Sequence, residues 1–114
     1  MDALPVLNES CIPKRCKASE DEAYIDIIRK VKSCDEKVTL LFTGPLTDLA
    51  KAIKYDNSIL KNIEKLVWMG GTFLDKGNVE EPEHDGTAEW NAFWDPEAVK
   101  VVLDSDMIVD IVAL

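Results

Sequence analysis

Asp85-Gly86-Thr87-Ala88-Glu89-Trp90-Asn91, running into Trp94-Asp95-Pro96-Glu97-Ala98, gathers carboxylate, amide and indole chemistry into one short stretch. Glu89 and Asn91 together offer the acceptors and donors that a polyol edge needs, and Trp90 offers a face to a flat ring. In an extended backbone residues i and i+2 point the same way, which predicts that Glu89 and Asn91 face one ligand. The competing arrangement is a capped helix start whose tryptophans fill the core.

These residues need a frame. Ser19 and Glu22 have capping-box spacing, and Tyr24, Ile27, Ile28 and Val31 follow at helical intervals, predicting an amphipathic helix that ends near Cys34. Val38-Thr39-Leu40-Leu41-Phe42 is a β-favouring apolar run. Gly44-Pro45 then opens a helix with Leu46, Leu49, Ala50 and Ile53 facing inward. A further helical turn or two, through Ile59, Leu60 and Ile63, leads to a second buried strand at Leu66-Val67-Trp68-Met69, stopped by Gly70-Gly71. The long aperiodic loop that follows holds Gly77, Pro82 and Gly86, a length usually reserved for function. Asp95-Pro96 caps a helix striped by Ala98, Val99, Val102 and Leu103, and Met107 to Leu114 makes a third strand. Trp68 and Trp94 read as core residues. Met1 to Ala18 has no period and contains Pro5 and Pro13, so it reads as an irregular leading segment of the single domain expected over 1–114.

Strands alternating with helices imply a parallel sheet with right-handed crossovers, an α/β fold in which ligands bind beyond the carboxyl ends of the strands. Thr43 and Met69 stand at those ends, and the loop from Gly70 to Trp94 leaves from the same edge. Thr43, Met69, Asn78, Glu89, Trp90 and Asn91 are therefore predicted to converge on one crevice. Three parallel strands with no closing helix would leave both sheet edges open, so an incomplete domain is expected.

Composition narrows the partners. With 13 Lys and Arg against 22 Asp and Glu the net charge is -9, which argues against nucleic acid and anionic membranes. No apolar run approaches the roughly 20 residues that span a bilayer, so a cytoplasmic protein is expected. Cys11, Cys16 and Cys34 are odd in number and irregular in spacing, which favours free thiols over a disulfide framework or a zinc site.

Three other clusters invite chemistry and read more plainly as structure. Asp104-Ser105-Asp106 with Asp110 has calcium-like spacing, but it precedes the third strand and falls on the edge opposite Thr43 and Met69, so a solvated turn is expected. His84 lies among Glu80, Glu81, Glu83 and Asp85 and reads as a solvated loop histidine rather than a general acid. Gly70-Gly71 and Gly77 lack the order of a phosphate-binding fingerprint and read as turn glycines.

Phe42-Thr43-Gly44-Pro45-Leu46-Thr47-Asp48-Leu49-Ala50, Trp68-Met69-Gly70-Gly71, Gly77-Asn78-Val79, and Ala88-Glu89-Trp90-Asn91 with Asp95-Pro96-Glu97-Ala98 form four ordered motifs over Val38 to Leu114. In combination they resemble the nucleoside hydrolase family, and the wording around Glu89 looks most like its purine-preferring branch. The resemblance implies a nucleoside hydrolase-like, Rossmann-like parallel sheet with flanking helices, present here in part, and calcium-dependent hydrolysis of the N-glycosidic bond of ribonucleosides. It implies that the Thr43 carbonyl binds calcium, that Asn78, Glu89 and Asn91 hold ribose hydroxyls, that Met69 lines the sugar pocket, and that Trp90 sits near sugar and base. The family's aspartate cluster, which supplies the general base and most calcium ligands, would lie upstream of this chain. Asp48 stands where the family more often has asparagine, a change that bears on local hydrogen bonding. The partner implied is a purine ribonucleoside or ribose. A non-catalytic ribose-binding or dimerising relative is the alternative, with open sheet edges favouring a homo-oligomer.

Overall fold

The computed structural model describes residues 18–114. Residues 1–17 of the leading segment, with Cys11 and Cys16, lie outside the described residues. Strands β1 (Val38–Phe42), β2 (Ile63–Met69) and β3 (Val109–Val112) form one sheet in the order β1-β2-β3, both pairings parallel. Helix α1 (Ala23–Ser33) precedes β1, and α2 (Thr47–Tyr55) with a 3₁₀ helix (Asn57–Asn62) links β1 to β2. Helices α3 (Trp90–Trp94) and α4 (Pro96–Leu103) link β2 to β3. The α/β architecture with a parallel sheet and flanking helices is the one expected.

Register explains the core. Leu40 pairs with Leu66 and Leu66 with Val109, while Phe42 pairs with Trp68 and Trp68 with Ile111, so these six side chains share one face. They pack with Leu46, Leu49, Ile53, Ala98 and Val102 from the helices, burying Leu66 and Leu46 completely. On the opposite face Leu41 and Val112 of the outer strands are exposed, and Val67 and Met69 of the middle strand are half-buried. Trp68 is buried, and its indole N–H donates to the Gly44 carbonyl at 3.1 Å, which pins the β1–α2 turn to the middle strand. Gly70 must follow it without a side chain, because a Cβ there would come within 2.2 Å of the Trp68 ring.

Several expectations are corrected. Ser19 does not cap α1: its hydroxyl accepts from the Asp21 amide at 3.2 Å, and the helix starts after Glu22 with no side-chain cap. The i→i+2 turn has taken the oxygen that a capping box would use. Ile63 belongs to β2 rather than to a helix, and the register shift between Val38 and Thr39 absorbs Glu64 as an extra residue, lengthening the strand backward. Leu103 is 48% exposed, about 100° around α4 from the buried Val102. Trp94 is 66% exposed, so only Trp68 of that pair is core. The Asp104 to Asp106 segment is the turn expected, with Asp104 paired to Lys100 and Asp110 held by Lys65 at 2.7 Å. Asp48 serves as a first-turn acid of α2, where a carboxylate suits the helix dipole.

Candidate functional site

β1 and β2 end side by side, with Thr43 just past one and Met69 closing the other. The Asn91 amide reaches both: its Nδ2 donates to the Thr43 carbonyl at 3.2 Å and to the Met69 carbonyl at 2.9 Å, with the Met69 sulfur at 3.3 Å. A side chain from the long connection thus bridges two strand ends, and the convergence expected at the carboxyl edge of the sheet is present. Parallel strands stop pairing here, so both carbonyls need donors from elsewhere.

Glu89 is 3% exposed and is the buried charged residue of the described chain. It is the N-cap of α3: Oε1 accepts from the Asn91 backbone N–H at 3.0 Å, and Oε2 from the backbone N–H groups of Ala92 at 3.1 Å and Gly71 at 2.8 Å. Three N–H donors at the positive end of a short helix account for a carboxylate in a buried place. Gly71 adopts φ +72, a left-handed turn that aims its N–H at Glu89 while its carbonyl accepts from Leu114 at 3.0 Å. The Gly70-Gly71 turn and the start of α3 are therefore fastened through one carboxylate, and the tail of β3 joins them through the Gly71 carbonyl. Because the chain turns helical at Trp90, Glu89 and Asn91 are not consecutive members of an extended run. They meet because the residue after the cap lies inside the helix, and the capped start that competed with the extended reading is the one realised, without core tryptophans.

Asn78 joins the same group through its Oδ1, which accepts from the Trp90 amide at 2.9 Å. Its backbone is held by a short ladder: Gly77 N–H donates to Gly86 O at 2.7 Å, and the N–H groups of Asn78 and Val79 both donate to Ala88 O at 2.9 and 3.1 Å. Trp90 lies 5.3 Å from Trp94 and edge-on to Phe93 at 5.5 Å, and the exposed His84 ring meets Phe93 at 4.6 Å. Behind Glu89, an open cavity of about 400 Å³ is lined by Gly71, Thr72, Ala88, Ala92, Phe93 and neighbouring residues. Gly71, read only as a turn glycine, and Gly86 and Ala88, quoted without a role of their own, are the site residues that motif reading passed over, although glycine beside a polar motif residue is the available signal for close backbone approach.

The site is bolted to the helical layer by Asp95. Its Oδ1 caps α4 through the Ala98 amide at 2.9 Å, and its Oδ2 accepts from the Thr47 hydroxyl at 2.7 Å at the start of α2. The Thr47 hydrogen bond, then the Ala98 amide, hold the Asp95 carboxyl below its ordinary value. As for a metal, the donors at this edge are the Thr43 and Met69 carbonyls, and among the described residues no group of three or more His, Cys, Asp or Glu is placed to hold one. The described residues do not compose a calcium site by themselves.

The profile of inosine-uridine preferring nucleoside hydrolases matches residues 4–114. Uridine nucleosidase 1 of Arabidopsis thaliana is 39% identical over 102 residues, which takes in 90% of this chain and 29% of the plant protein. The crystal structure of an inosine-uridine preferring nucleoside hydrolase from Bacillus anthracis is similar with a TM-score of 0.88 and 52% identity, over 98% of this chain and 37% of that one. A purine-preferring ribonucleoside hydrolase from Gardnerella vaginalis gives a TM-score of 0.74 at 31% identity, over 90% of this chain and 31% of its own. The chain spans about a third of the length of these relatives.

Proposed function

The chain belongs to the inosine-uridine preferring nucleoside hydrolase family, whose members hydrolyse N-glycosyl bonds, and from that premise we propose that it forms the ribose-holding half of a site that splits purine ribonucleosides into base and ribose. The observation that carries this reading is the Asn91 amide bridging the ends of β1 and β2, with Glu89 and Asn78 tied into the same hydrogen-bonded group.

In this reading Asn78, Glu89 and Asn91 turn toward the ribose hydroxyls, Met69 lines the sugar and Trp90 flanks sugar and base. Glycosidic cleavage passes through an oxocarbenium-like sugar, so a carboxylate fixed beside it lowers the barrier by opposing the developing positive charge. That role is supported by the three donors that fix the Glu89 carboxylate and need no rearrangement during reaction. The Thr43 carbonyl is the hard oxygen this chain would give to calcium. In this reading the remaining calcium ligands and the general base come from parts of the family fold outside this chain.

A second reading is a ribose- or nucleoside-binding protein without turnover, since the hydrogen-bonded group of Asn78, Glu89 and Asn91 is the sugar-facing part of the proposed site. One experiment separates them. Inosine and uridine are offered to the folded chain with calcium and then with excess chelator, while reducing sugar and bound ligand are measured. Calcium-dependent sugar release supports hydrolysis, binding without release supports the second reading, and a folded chain that binds neither nucleoside nor ribose refutes both. Faster release from uridine than from inosine would refute the purine preference.

A further inference from the structure

We propose that Gly77 is the positioning residue of the ribose-holding group: its missing side chain lets one carbonyl, that of Ala88, set Asn78 and Glu89 relative to each other. The inference deepens the ribose-holding reading and rests on it for the ligand. A Cβ on Gly77 would stand 1.8 Å from Ala88 O and 2.3 Å from Ala88 C, both backbone atoms. Reaching even 3.0 Å from that oxygen requires a shift of at least about 1.2 Å. The same oxygen accepts the N–H groups of Asn78 and Val79, and Val79 is fully buried, so neither strand of the clasp can slide away freely.

Asn78 and Glu89 are the next residues along the chain from the two atoms that would collide. A shift there travels directly to the Asn78 Oδ1 bond with Trp90 and to the Glu89 cap. Asn91, held by the Thr43 and Met69 carbonyls, is anchored on the other side and feels it less. The clasp also closes the base of the exposed excursion from Glu80 to Asp85. Changes at its tip residues Glu81 and Glu83 are therefore insulated from the site, whereas His84 packs on Phe93.

The test records the side-chain amide resonances of Asn78 and Asn91 in the folded chain, together with its affinity for inosine. Gly77→Ala is expected to move the Asn78 resonances, leave those of Asn91 nearly in place and weaken inosine binding roughly tenfold or more, the scale that ångström misplacement brings. Gly86→Ala loads the clasp more gently, since Gly86 has φ +80 and open space around it, and is expected to move Asn78 less in the same sense. Glu81→Gln and Glu83→Gln combined should leave Asn78 and the affinity unchanged. The proposal falls if both glycine variants leave Asn78 unmoved, or if the excursion variant moves it as far as Gly77→Ala does. A parent chain that does not bind inosine would count against the ribose-holding function, while the Asn78 resonances would still decide the role of Gly77.

Discussion

Glu89→Gln changes one charge and almost no volume, which makes it a sharp probe of what holds this edge of the sheet together. The carboxylate accepts three backbone N–H groups, one on Oε1 and two on Oε2. Glutamine has one acceptor oxygen. Its least costly orientation keeps the oxygen toward Gly71 and Ala92 and turns the NH₂ toward the Asn91 amide, where two donors then face each other. Leaving that buried donor unpaired costs about 1–3 kcal/mol, and converting two charge-assisted bonds to neutral ones removes about 1 kcal/mol more. A total of roughly 2–4 kcal/mol, at about 4 °C per kcal/mol for a chain of this size, predicts a melting temperature lower by roughly 8–16 °C. Thermal and urea melts followed by circular dichroism measure it. If Glu89 only gripped a sugar, Glu89→Gln would weaken binding and leave the melt alone. A variant melting within about 2 °C of the parent would refute the clamp.

Asn91→Asp places a carboxylate against the Thr43 and Met69 carbonyls, so it should destabilise the fold by about 1–2 kcal/mol more than Asn91→Ala, contrary to expectation for a residue that only contacts ligand; paired urea melts test this. Trp68→Leu should cost about 2–4 kcal/mol through lost packing and a Gly44 carbonyl without its donor, whereas Trp94→Ser should fall within about 0.5 kcal/mol because that ring is exposed. Acid unfolding should report Asp56 and Asp95. Lys32 and then Ser58 hold Asp56 at about 2, and Thr47 holds Asp95 below its ordinary 3.8. Carboxyls lowered on folding stabilise the chain above pH 3.8, and that contribution is lost as pH falls toward 2. Asp95→Asn keeps a capping oxygen for Ala98 and should flatten part of this decline while costing less than about 1 kcal/mol at neutral pH; a melt series from pH 5 to about 2 would show an unchanged slope if Asp95 did not contribute.

The sheet was legible because its signals are local and redundant. Val38 to Phe42 and Leu66 to Met69 are apolar, β-favouring and bounded by glycine, and Asp95-Pro96 states a helix start twice over, by cap and by fixed φ. The misreadings share a cause. Ser19 had a capping partner at the right spacing, Ile63 fitted a helical interval and Leu103 fitted a helical stripe, yet each was decided by what lay across from it: an Asp21 amide, the β1 edge and solvent. Period and spacing describe what a segment can do alone, and tertiary contact chooses among those options.

The candidate site divides along the same line. Residue types placed Thr43, Met69, Asn78, Glu89, Trp90 and Asn91 at one edge, and all six take part in the hydrogen bonds found there. Trp90 enters through its backbone, and Thr43 and Met69 through their carbonyls. Motif reading treats a polar side chain as aimed at a ligand, but here Glu89 spends three acceptor positions on backbone donors and Asn91 spends its amide on strand ends. A carboxylate has about four such positions, which leaves Glu89 room for about one hydroxyl. The groups that would grip a sugar are thus the groups that close the sheet edge, and a buried acceptor cannot be removed from one task without failing the other. Binding and stability are coupled at this edge, so affinity measured on Glu89 or Asn91 variants must be read beside their melts, and Asn78, held mainly through the Gly77 clasp, is the residue where the two separate.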